Sequence, residues 1–94
     1  MIYKSKIIVS AKQLIDDGRW EFKRIKKDST VNVEWMGNGN VQFKTEDDKL
    51  FQLPLDEFLF AFVEMKTVDV QEEYIDGSGY LSCRIVEELR EVSQ

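Results

Sequence analysis

The stretch VNVEWMGNGNVQFKT, residues 31–45, decides how this chain folds. Val31, Val33 and Trp35 alternate with Asn32 and Glu34, and Val41, Phe43 and Thr45 alternate again beyond a break. Side chains along a strand point to opposite sides in turn, so an apolar residue at every second position marks a strand with one buried face. The break is Gly37-Asn38-Gly39-Asn40. Asn-Gly tolerates the positive φ angles of a tight two-residue turn, so the two runs are expected to fold back on each other as a hairpin.

Working outward, the same grammar recurs. Trp20 to Ile25 reads as a strand with Trp20 and Phe22 on one face, and Lys26 to Ser29 as a polar turn. Glu46 to Lys49 is a second turn and Leu50 to Leu53 a short strand. Ile2 to Val9 is rich in β-branched residues and suits an edge or early strand. Thr67 to Ile75 alternates, Asp76-Gly77-Ser78-Gly79 is another turn, and Tyr80 to Cys83 returns.

Three segments carry helix signals. Ser10 with Gln13 three residues later is a capping-box pattern, which predicts a helix from Ala11 to Asp17 ended by Gly18. Pro54 suits the first turn of a helix, and Asp56 and Glu57 complement the positive end of its dipole. A helix from Leu55 to Met65 is expected there, against a rival strand that aligns Phe58, Phe60 and Phe62. At the C-terminal end, Ile85, Val86, Leu89 and Val92 fit a helical face, while Leu81, Cys83 and Ile85 fit a continued strand. The expectation is α+β: a small antiparallel twisted sheet or partly open barrel, a meander, with two or three short helices. The whole, residues 1–94, is expected to be one compact domain.

The absence of histidine removes the commonest near-neutral acid–base group and the commonest metal ligand. It excludes Ser-His-Asp and Cys-His catalysis. The single Cys83 forms no internal disulfide and supplies no all-cysteine zinc site; it reads as a small buried hydrophobe. The Ile7-Ile8-Val9 triplet is too short for a secretory apolar region, and a cytoplasmic setting is expected. Neither a metal, a cofactor nor an enzymatic activity is indicated.

Charge is divided along the chain. From Met1 to Thr30 there are eight basic residues against four acids, and from Val31 to Gln94 five against fourteen. A fold that keeps these regions apart steers charged partners. Acids cluster at Glu46, Asp47 and Asp48, at Asp56, Glu57 and Glu64, at Glu72, Glu73 and Asp76, and at Glu87, Glu88 and Glu91. In the helical reading Asp56, Phe60 and Glu64 form one outward row, an aromatic anchor with an acidic rim. A partner-binding surface of Asp56, Glu57, Phe60, Glu64, Glu72 and Glu73 is therefore expected. The function this suggests is stoichiometric binding of a larger protein, such as an inhibitor of a nucleic-acid-handling, defence or toxin protein with a basic groove. The chain itself is expected to be a monomer or homodimer, with no membrane contact.

An alternative ligand site lies at Trp20, Phe22, Lys23, Arg24, Lys26 and Lys27. Aromatics beside cations suit single-stranded nucleic acid or a phosphorylated small ligand. Against it, a half-buried strand turns its aromatics inward by default, and the net charge of −5 opposes phosphate binding.

Overall fold

The computed structural model describes residues 1–92, and it is a single eight-stranded antiparallel sheet with one helix. Strand accounts for 65% of the chain and helix for 8%, which corrects the α+β expectation to a mainly-β fold. In chain order the elements are β1 (Ile2–Ser5), β2 (Val9–Leu14), β3 (Trp20–Ile25), β4 (Thr30–Gly37), β5 (Asn40–Thr45), β6 (Leu50–Pro54), α1 (Leu55–Ala61), β7 (Phe62–Ile75) and β8 (Leu81–Glu91). Hydrogen bonding orders the strands β3-β2-β6-β5-β4-β1-β7-β8.

The Asn-Gly hairpin forms between β4 and β5, with Gly37 opposite Asn40 and positive φ at both Asn38 and Gly39. A register shift between Val33 and Trp35 leaves Trp35 opposite Gln42 and exposed, not continuing the buried alternation of Val31.

Both outer helix expectations fail, for the same physical reason. The segment expected as a helix from Ala11 is β2, paired with β3 from Val9 opposite Ile25 to Leu14 opposite Trp20. Its Val9 and Ala11 are buried at period 2, and Gly18 serves the turn, donating its N–H to the Ile15 carbonyl. The C-terminal segment is β8, in unbroken register with β7 from Met65 opposite Glu91 to Ile75 opposite Leu81. Helices of this length are marginal alone, whereas a neighbouring strand satisfies every second backbone group at once. Helix α1 begins after Pro54 as expected but ends at Ala61, because Phe62–Met65 pair with β1.

The sheet cannot lie flat. β1 and β2 are joined by Lys6–Ile8 alone, so Ser5 and Val9 are at most about 15 Å apart. Four strand spacings separate β2 from β1 in the hydrogen-bonding order, about 19 Å if flat. The sheet therefore curls, bringing the end of β1 near the start of β2. Buried Ser5 fastens the seam: its hydroxyl donates to the Lys26 carbonyl at 2.8 Å and accepts the Ser29 N–H at 2.9 Å. The Lys6 N–H donates to the Ala61 carbonyl, tying the seam to the helix.

Inside the curl Phe58, fully buried, meets Tyr3 edge-on at 4.9 Å, Phe62 at 4.6 Å and Phe43 at 5.3 Å between ring centroids. It is the helix's deepest contact with the sheet, since Leu59 and Phe60 face outward. No helix among the described residues is long and apolar enough to cross a membrane. Replacing Phe58 by Ala is expected to cost about 3–5 kcal/mol, and Leu59→Ala under about 0.5 kcal/mol. Urea unfolding of the two variants checks the contrast.

Candidate protein-docking arm

β7 is fourteen residues long, and β1 pairs with only Phe62–Met65 of it. From Lys66 onward β7 has a single neighbour, β8, so residues 66–90 form a two-stranded arm with about 30 Å of free ribbon. The molecule measures 57 × 32 × 21 Å, and its radius of gyration is 17.6 Å against about 12 Å for a compact chain of this length.

The register is regular, so residues directly opposite each other share a face. Even-numbered positions carry every cation of the arm: Lys66, Arg84 and Arg90. Arg84 pairs with Glu72 at 3.1 Å and lies 5.3 Å from the Tyr74 ring, and Arg90 pairs with Glu88 at 2.8 Å. Odd-numbered positions carry no cation. There Asp69 faces Glu87 directly across the strands, a like-charge pair that costs stability in a free ribbon. Leu81 and Ile85, each 67% exposed, share this face with Leu89, Glu73 and Ile75. Cys83 is exposed on it too, correcting its expected burial. The turn at the tip is held by Asp76, whose carboxylate accepts the N–H groups of Ser78 at 2.8 Å and Tyr80 at 3.1 Å. Those bonds, Tyr80 first, hold the Asp76 carboxyl below the ordinary aspartate range.

The expected partner-binding residues do not form one cluster. Asp56 and Glu57 sit in the first turn of α1 and Phe60 projects from it, 74% exposed. A shallow hollow of about 370 Å³ beside them is lined by Ile7 and Ile8, which extend the apolar patch. Glu64 leaves the row, because the helix stops at Ala61; it lies in β7 opposite Tyr3, half-buried. Burial, and then the charge of Glu64, raises the Tyr3 phenol. Glu72 and Glu73 are on opposite faces of the arm, Glu72 committed to Arg84 and Glu73 on the cation-free face. Asp69, Glu87, Leu81 and Ile85 do not group as a site in the sequence: the alternation around Asp69 and the strand alternative at Leu81–Ile85 are both visible there, but the helical reading of residues 84–92 is preferred, and only the β7–β8 register places Asp69 opposite Glu87.

The alternative site is also rearranged. Trp20 and Phe22 face outward on edge strand β3, with Phe22 67% exposed. Ser10 opposite Arg24, Lys12 opposite Phe22 and Leu14 opposite Trp20 form one exposed face, and the Lys12 ammonium lies 5.6 Å from the Phe22 ring centroid. Lys23 and Lys26 instead line an open hollow of about 670 Å³ with Arg24. That hollow also contains Lys49 and the acids Asp28, Glu46 and Asp47, so its four cations are nearly offset by three carboxylates, and Lys49 is paired with Asp47. Lys27 is exposed in the turn after β3.

Strand order turns the sequence's charge split into geometry. The β2–β3 end, residues 9–27, has six basic residues against three acids; the arm, residues 66–90, has three against six. These are the two ends of the hydrogen-bonding order. Among the described residues, no group of three or more acids or cysteines converges as a metal-holding cluster. No family model, curated protein or solved structure matches the chain.

Because its folded-state carboxyl is depressed, Asp76 stabilises the tip above its unfolded-state pKa, and this contribution is lost as pH falls through the lower folded value. The Ser78 and Tyr80 amide signals are expected to titrate together below the usual aspartate range. In Asp76→Ala these amides should exchange faster at neutral pH while Val41 and Phe43 do not change, as read by NMR.

Proposed function

We propose that this chain is a non-enzymatic binding protein that acts by stoichiometric contact with a larger protein in the cytoplasm. The partner is a nucleic-acid-handling, defence or toxin protein with a basic groove, which this chain inhibits by occupying that groove. One observation carries the reading: an arm is held outside the core with apolar side chains and acids on a cation-free face. Such a face suits a surface that supplies both apolar pockets and positive charge. The arm gives reach and steering, and Phe60 with Ile7 and Ile8 gives an aromatic anchor.

The test is capture by the immobilised chain from a lysate of its native host, with and without nuclease, followed by mass spectrometry. A saturable protein partner that survives nuclease and is lost with Asp69→Lys/Glu87→Lys is the expected result. Phe60→Ala should then weaken the isolated pair about thirtyfold, the scale of an interface hot spot. Added salt should slow association. Capture indifferent to the arm's charges overturns the proposal.

A second reading is favoured by the outward Trp20 and Phe22 beside Lys12 and Arg24: direct binding of single-stranded nucleic acid or a phosphorylated ligand. It predicts a change in tryptophan fluorescence on adding an oligothymidylate, abolished by Lys12→Glu/Arg24→Glu. A spectrum unmoved by the oligonucleotide removes it.

A further inference from the structure

Two uncovered ribbon faces on this one chain have opposite chemistry. The arm's odd face joins Leu81 and Ile85 to the Asp69–Glu87 pair and has no cation. The outer face of β2–β3 joins Trp20 and Phe22 to Lys12 and Arg24 and has no acid. Neither Lys12 nor Arg24 makes an ion pair among the described residues. On each face the charges adjoin the apolar residues within one or two strand rungs.

We propose that the arm of one copy packs its odd face against the outer β2–β3 face of a second copy. The inference rests on the reading of the arm as a docking surface and names a partner for it. Two ribbons stack about 10 Å apart with side chains interleaved. Arm against arm through the odd faces brings six acids together, and β2–β3 against β2–β3 brings four cations together. Arm against β2–β3 is the pairing in which both charge and apolar surface match. It relieves the Asp69–Glu87 repulsion with Lys12 and Arg24, which are themselves uncompensated. The area suffices: the chain exposes 6894 Å² against about 5,700 Å² for a compact protein of its mass. That excess of about 1,200 Å² exceeds the roughly 800 Å² that each partner contributes to a standard interface. A lone two-stranded ribbon is marginal in water, and the contact gives it a covering layer. A larger basic partner then competes with the second copy for the same face.

Sedimentation velocity on the purified full chain tests this through a charge swap. Wild type should gain mass above 11.1 kDa as its concentration rises in low salt, and lose it in high salt. Lys12→Glu/Arg24→Glu alone, and Asp69→Lys/Glu87→Lys alone, should each associate at least about tenfold more weakly, because each presents like charge on both faces. Their equimolar mixture should regain association, since the reversed β2–β3 face of one meets the reversed arm of the other. The regained mass also proves both variants folded. Ile85→Ser, at an exposed position, should give the same loss without any charge change. A wild type that stays monomeric throughout, or a mixture no heavier than its components, overturns the proposal. A monomeric wild type still capturing a larger protein through the arm separates this failure from failure of the arm as a docking surface.

Discussion

The docking surfaces proposed for this molecule depend on a mismatch in strand length. β7 runs fourteen residues, β1 supplies pairing for four, and β8 follows β7 in full register. The body can bury only what the curled strands and α1 enclose, so the remainder of the β7–β8 hairpin stands as a ribbon with two open faces. A ribbon of this kind has no core of its own, and its side-chain chemistry is free to serve contact. The even face holds three cations against two acids, and both acids are ion-paired, Glu72 with Arg84 and Glu88 with Arg90. The odd face leaves Asp69, Glu73 and Glu87 without an ion-pair partner on that face.

The curl has a second consequence. Joining β1 to β2 through three residues pulls the sheet round and leaves β3 at one end of the hydrogen-bonding order and β8 at the other. The basic N-terminal residues ride on β2 and β3 and the acidic residues on β7 and β8, so a linear charge gradient becomes two separate surfaces. Because the odd face of the arm carries charge of one sign, the proposed encounter with a cationic surface is one that its field favours before any apolar contact forms. The aromatic core around Phe58 fixes the body from which these surfaces project, and Phe58 itself is fully buried.

The sequence showed the hairpin at Asn38-Gly39, the helix start after Pro54 and the turn at Asp76–Gly79, because each rests on local backbone chemistry. It misled where a local signal competed with a distant partner. Ser10 and Gln13 form a capping pattern, but β3 and β6 flank that segment, and Ala11 is buried between them. Ile85, Val86, Leu89 and Val92 repeat at helical spacing, yet Leu81, Cys83, Ile85 and Leu89 also alternate, and the turn at Asp76 sets the strand register. The exposure of Phe60 was legible from its helical position. The outward turn of Trp20 and Phe22 was not, because it depends on which face of the β2–β3 hairpin meets the core.

The freedom of the arm is best tested by small-angle X-ray scattering on the dilute chain in high salt, where copies are kept apart. An arm projecting from the body predicts a radius of gyration close to the 17.6 Å of the structure. A value near the roughly 12 Å of a compact chain would mean that the arm folds back onto the body, and would contradict the account.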